Sequence, residues 1–130
     1  MFFKKKNNLT VGKLGEKIAA KYLKKKGYKI LELNFYNKIG RRLGEIDIIA
    51  KKEKKIIFVE VKTRELRGGV DVLPEESISR LKLRKLNKIA LFYLSKKDLE
   101  NAEYQFDAIA IWIEKENRNA KVRHLESIFF

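Results

Sequence analysis

The chain has 130 residues, 45% of them hydrophobic, with one proline and no cysteine. That length suffices for one domain with a real core, and the missing cysteines exclude disulfide frameworks and thiolate zinc sites. Lys and Arg number 31 against 17 Asp and Glu, a net charge of +14, which favours polyanionic partners, nucleic acid ahead of an anionic membrane surface.

A single domain is expected over residues 1–130, with residues 1–9 a flexible basic lead-in that lacks the apolar segment of a secretory signal. Thr10 can cap a helix over Val11–Lys26, which Gly27 then stops. Tyr28–Tyr36 has strand composition, and NKIGRR follows it as a polar turn. Strands are expected at Leu43–Ala50 and Lys55–Thr63, joined by the short charged KKEK. Arg64–Pro74, which contains RGGVDVLP, reads as an open loop. A long helix over Glu75–Lys96 carries Glu75 and Glu76 at its positive end. Tyr104–Ile113 and Lys121–Phe130 close the chain as strands.

The order α-β-β-β-α-β-β predicts an α/β fold. The first three strands are short-linked and suit antiparallel pairing, whereas the long helix before Tyr104 permits a crossover to a parallel strand. A mixed sheet flanked by helices satisfies both. No apolar run is long enough to span a bilayer, so a cytoplasmic protein without membrane contacts is expected. The only histidine, His124, cannot build a multi-histidine metal site and is expected at a strand edge or on the surface.

GEIDIIAKKEKKIIFVEVKTR, residues 44–64, holds the chemistry. Side chains alternate along a strand, so Glu45 and Asp47 are expected on one face with Leu43 and Ile49. Glu60 and Lys62 likewise share a face with Ile56 and Phe58, while Ile57, Val59, Val61 and Thr63 form the other. Apolar residues on both faces make this a central strand, where a carboxylate is costly unless it is paired or bound to metal. If Ala50 pairs with Lys55, Glu45 lies opposite Glu60; a two-residue shift sets Asp47 opposite it. Either register brings acids of both strands to one face, roughly 5–8 Å apart. A divalent cation relieves such repulsion, and an all-oxygen donor set suits Mg²⁺ or Mn²⁺. Lys62 can orient a water, offset charge on a phosphate, or simply pair with Glu60.

A further acid, Glu16, lies on a face of the first helix with Ala19, Ala20 and Leu23. It either pairs with a nearby lysine or turns towards the hairpin acids. Lys13 and Lys17 beside it, Thr63 and Arg64 past the strand, and Lys82, Arg84, Lys85 and Lys88 on the second helix are candidate nucleic-acid contacts. A solvated helix face explains the last four equally well.

GKLGEKIAAKYLKKKGYKIL, GEIDIIA, FVEVKTR, IALFYL and FDAIAI together resemble the uncharacterised protein family 0102, the YraN-like proteins, over Val11 to Phe130. They also resemble archaeal Holliday-junction resolvases of the PD-(D/E)xK nuclease superfamily. That resemblance implies a restriction-endonuclease-like core and Mg²⁺-dependent cleavage of phosphodiester bonds in DNA, with branched or damaged DNA among the expected substrates, and a homodimer. It sets Asp47 as the motif aspartate, Glu60 and Lys62 as the (D/E)xK pair, and Glu16 as a helical acid of the resolvase type. Glu45 belongs to GEID and is an additional candidate. Gln105 and Tyr36 stand where the family often has arginine. A non-catalytic nucleic-acid-binding module on DNA or RNA that keeps the nuclease fold is the alternative.

Overall fold

The computed structural model describes residues 10–66 and 80–128. Helix α1 is Val11–Lys25, followed by strands β1 (Lys29–Tyr36), β2 (Glu45–Lys52) and β3 (Lys55–Glu65). Helix α2 is Arg80–Lys96, and strands β4 (Tyr104–Glu114) and β5 (Asn119–Leu125) follow. The expected lead-in 1–9, the RGGVDVLP loop, the acids Glu75 and Glu76, and the terminal Phe129 and Phe130 lie outside the described residues.

Local chemistry sets the ends of α1. The Thr10 hydroxyl accepts from the Lys13 amide at 3.1 Å, satisfying a donor of the first turn. Gly27, at φ +91°, lets the chain turn out of the helix without a Cβ penalty. The turn NKIGRR is held from within by Asn37. Its amide donates to the carbonyls of Ile39 and Arg41, and its oxygen accepts from Leu43.

The strands form one five-stranded sheet in the order β1-β2-β3-β4-β5. The first three pair antiparallel, β3 and β4 run parallel across the α2 crossover, and β5 returns antiparallel. This is the expected mixed sheet with β3 at its centre. Helix α1 covers one face, packing Ile18, Ala19 and Leu23 on Ile57, Val59, Ile109 and Ile111. Helix α2 covers the other, packing Leu86, Ile89, Ala90 and Tyr93 on Ile49, Ile56, Phe58 and Phe106.

Several strand ends differ from the sequence expectation: β2 lies two residues later than Leu43–Ala50, and β5 begins at Asn119 rather than Lys121. β3 continues through Arg64 and Glu65 because it stays paired with Trp112 and Ile113 of β4. β5 stops at Leu125 rather than Phe130. Beyond it Ser127 adopts φ 52°, its amide bonds the Asp107 carboxylate at 3.0 Å, and the Ile128 amide bonds the Phe106 carbonyl at 2.8 Å. The chain leaves the ladder to close over the start of β4.

Candidate active site

The β2–β3 hairpin turns through two residues, Glu53 and Lys54, with Lys52 facing Lys55. That register pairs Ile48 with Val59, and one step further brings Asp47 beside Glu60. Of the two registers open to the sequence, this is the one shifted by two residues. The paired ladder ends there, although both strands continue. The Asp47 Oδ2 accepts the Val61 amide at 2.8 Å, so a side chain takes over the acceptor role at the point where the strands part.

The alternation of β2 breaks at the same point. Ile48 and Ala50 join the α1 layer, whereas Ile49 and Ile46 both join the α2 layer. Glu45 and Asp47 therefore have different surroundings, contrary to the simple period-two expectation. Glu45 accepts from Arg42 at 2.8 Å, and the Arg42 guanidinium lies 4.5 Å from the centre of the Tyr36 ring. With its nitrogen turned to the acids, the Asn34 amide donates to Glu45 at 2.9 Å and to both oxygens of Glu16 at 3.1 Å. Asn34 itself sits at φ 52° in β1, a conformation asparagine tolerates better than most residues.

Glu16 reaches this end of the sheet because α1 approaches β3 at Gly15. A Cβ built there would lie 1.8 Å from the Thr63 hydroxyl, so only glycine permits the contact. Lys13 lies 3.5 Å from Glu16 on the helix surface.

Glu60 is only 6% exposed and is the acceptor for two lysines. Its Oε1 lies 2.5 Å from Lys82 Nζ and 3.5 Å from Lys62 Nζ. Lys82, read from sequence as a phosphate contact, thus turns inward from α2. Lys17, Arg64 and Arg84 are exposed, as are Lys85 and Lys88.

Electrostatics register the crowding. Burial pushes the Asp47 carboxyl up to about 7, the charges of Glu60 and Glu16 add to the rise, and the Val61 bond opposes it. The Lys62 ammonium is pulled below its ordinary value, first by burial and then by Lys82. For Lys82 burial acts downwards, but its bonds to Glu60 and Lys62 and the charges of Glu60 and Asp47 outweigh it, and the net shift is upward.

Asp47, Glu60 and Lys62 are thus gathered at one end of the sheet, with Glu16 close enough to act on Asp47 by charge. Glu16, Asp47 and Glu60 do not close into a single tight shell. Among the described residues, the three ligand atoms of this type that all lie within 4.8 Å of one another belong to Asp107, His124 and Glu126.

That second cluster escaped the sequence reading. Asp107 is fully buried in β4, and Gln105, Ser127 and His124 satisfy its oxygens. His124 does lie on the edge strand β5, but its side chain is turned in: Nε2 is 2.7 Å from Asp107 and Nδ1 is 3.3 Å from the Tyr22 hydroxyl. Asp107 and His124 bond each other and Glu126 accepts from the Tyr28 hydroxyl at 3.4 Å, and these bonds with those of Tyr22 and Ser127 tie β4, β5, α1 and residues 126–127 together. The available signal was a lone Asp in the otherwise apolar FDAIAI.

No helix among the described residues is long and apolar enough to cross a membrane. The chain is 45% identical over 128 residues to the UPF0102 protein TTE1452 of Caldanaerobacter subterraneus subsp. tengcongensis, covering 97% of this chain and 99% of that one. It is 43% identical to a UPF0102 protein of Syntrophus aciditrophicus, covering 89% of this chain and 87% of the relative. A UPF0102 protein of Clostridium beijerinckii is 41% identical, covering 96% and 97%. A family profile described as "Uncharacterised protein family UPF0102" matches residues 15–111, and the chain belongs to that family.

Proposed function

We propose that this protein is a divalent-metal-dependent nuclease that hydrolyses phosphodiester bonds in DNA. The observation that carries the reading is the Asp47–Glu60 pair. Two carboxylates share one partly buried site on adjacent strands, and one of them is driven to about 7 by burial and by its neighbours. Paired acids under such strain with a lysine two residues along the same strand fit a cation-binding catalytic site better than a structural role.

Asp47 and Glu60, with Glu16, would hold the cation, and their all-oxygen donor set fits Mg²⁺ or Mn²⁺. Bound there, such an ion lowers the pKa of a water and stabilises charge on a scissile phosphate. The chain's own groups have separate tasks. Lys62 presents a partly buried ammonium whose proton is held less tightly than usual, suited to orienting a water and offsetting phosphate charge. Val61 fixes the Asp47 carboxylate through its amide. Thr63 and Arg64 at the end of β3, with Lys13, Lys17 and Arg84 on the helix surfaces, supply hydroxyl and cationic groups for the nucleic-acid backbone.

One observation favours a second reading, a nucleic-acid-binding module without catalysis. Lys82 already offsets the charge of Glu60 at 2.5 Å, so the acids are partly compensated without a metal. Labelled linear, flapped and four-way DNA, incubated with Mg²⁺ or Mn²⁺, separates the two. The nuclease reading expects cleavage by the native chain that EDTA abolishes and that Asp47→Ala and Glu60→Ala each reduce by about 100-fold or more. Binding without cleavage in every divalent ion, or cleavage equal in both variants, overturns it.

A further inference from the structure

The far end of the sheet carries a groove that the acid cluster does not use. It lies where β1 begins, β2 ends, β3 begins and α2 finishes, with an open volume of about 410 Å³. Asp47 and Lys51 are four residues apart on β2, so the groove sits roughly 13 Å or more from the acids along the strand. The volume falls within the range of small-molecule sites.

Its lining divides by chemistry. Leu31, Ile56, Leu99 and Ala102 give an apolar floor, and Lys29, Lys51, Lys54 and Lys97 stand around it. All four lysines are exposed, and none is ion-paired with another described residue. Glu32 is the one acid in the lining, and it too has no ion-pair partner among the described residues. Tyr93 completes the site. Its ring is locked edge-on against Phe35 and Phe58, and the residue is only 3% exposed. Its hydroxyl nevertheless makes no hydrogen bond to any described residue. The hydroxyl lines the open groove, so it is free to bond an occupant in place of water.

We infer that this groove binds a nucleoside 5′-phosphate, either as a free nucleotide or as the phosphorylated end of a strand. Four lysines select an anion and match a phosphate better than a carboxylate, because a phosphate offers more acceptors. The apolar floor takes the flat face of a base. Glu32 accepts from an amino group or a sugar hydroxyl, and the Tyr93 hydroxyl bonds a polar edge. Inorganic phosphate satisfies only the lysines. The inference is independent of the nuclease reading, since it uses none of that site's residues.

Calorimetric titration in EDTA tests it, with AMP, GMP, CMP and UMP beside inorganic phosphate, and a 5′-phosphorylated oligonucleotide beside its 5′-hydroxyl counterpart. At least one nucleotide is expected to bind saturably and more tightly than phosphate. Lys51→Glu and Lys97→Glu are each expected to weaken it by about tenfold or more, and Tyr93→Phe by about threefold to tenfold. Asp47→Ala is expected to leave binding unchanged. A phosphorylated oligonucleotide that outbinds the free nucleotide assigns the groove to strand ends; the reverse order assigns it to a free nucleotide. No saturable nucleotide binding, affinity no better than that of phosphate, or affinity untouched by both lysine variants overturns the inference. Because both lysines are exposed, an unfolding curve that matches the native chain's excludes misfolding as the cause of a loss.

Discussion

Asp47 titrates near neutrality, and the sign of its effect on stability follows from that. Its ordinary value is 3.8 and its folded value about 7, so between the two the folded state holds a proton that the unfolded chain has released. Stability from this group is therefore present at low pH and is lost as pH rises towards 7, at most on the order of 4 kcal/mol. Asp47→Asn keeps an acceptor for the Val61 amide but carries no charge. In EDTA at pH 8 this variant is expected to be more stable than the native chain by about 1–3 kcal/mol, with the gap closing towards pH 4. Urea unfolding at both pH values measures it, and an unchanged gap would show that the carboxylate is not strained. Lys82 gives the complementary case. Lys82→Met leaves Glu60 with the more distant Lys62, so the metal-free protein loses stability at pH 8. Under the nuclease reading Mn²⁺ then binds at least about threefold more tightly, because it no longer competes with an ammonium. Titration of Mn²⁺ into both proteins checks this. The sequence made Asp47, Glu60 and Lys62 legible because each interrupts an apolar run. It hid Asn34 and Asp107 and offered Lys82 only as a nucleic-acid contact, because their partners lie on other elements: α1 and β2 for Asn34, β3 for Lys82, β5 and Ser127 for Asp107.

At the level of elements, α1 is set on the sheet by the close approach of Gly15 to Thr63. Gly15→Ala brings a methyl group against Thr63 at both its hydroxyl and its Cβ, so helix or strand must move. A loss of about 1–3 kcal/mol is expected in urea unfolding. Thr63→Ala in the same chain removes the nearest atom and should restore part of the loss, which a pure helix-propensity effect would not allow. Strand and helix positions were largely readable, since each depends on local pattern: β-branched runs, a Thr cap, a Gly stop. Two features were not. The hairpin register remained ambiguous by two residues because the charged turn KKEK fits either pairing. The end of β5 was misplaced because Glu126, Ser127 and Ile128 have an unremarkable composition, and their course is dictated by Asp107 some 20 residues earlier.

For the whole molecule, the charge of +14 is the property that composition fixes and folding only distributes. Lysines face solvent on α1, on α2 and around the hairpin turn, so association with duplex DNA is expected to be strongly salt-dependent. If only three phosphates are neutralised, raising salt from 50 to 200 mM weakens binding by about 40-fold. Fluorescence anisotropy across that range reads the slope directly, and a flat response would rule out a backbone-driven contact. The three layers explain how so charged a chain folds at all. Two apolar interiors lie on either side of one sheet, and most charges are left to the rims and outer helix faces, with Glu60 and Asp107 as buried exceptions.

The short β2–β3 turn has a consequence for how this molecule can change. Asp47 and Glu60 are brought side by side by a count of residues, five paired positions on each strand. Removing one residue from either paired segment acts as a frameshift for side chains, sending everything beyond it to the opposite face. Removing two restores the face but slides one carboxylate about 7 Å past the other. Substitutions along these strands can therefore be absorbed one at a time, whereas changes of length cannot. The seven residues from Asn37 to Leu43 set no register between the two acids, but the Asn37 bonds to Ile39, Arg41 and Leu43 fix a count of their own.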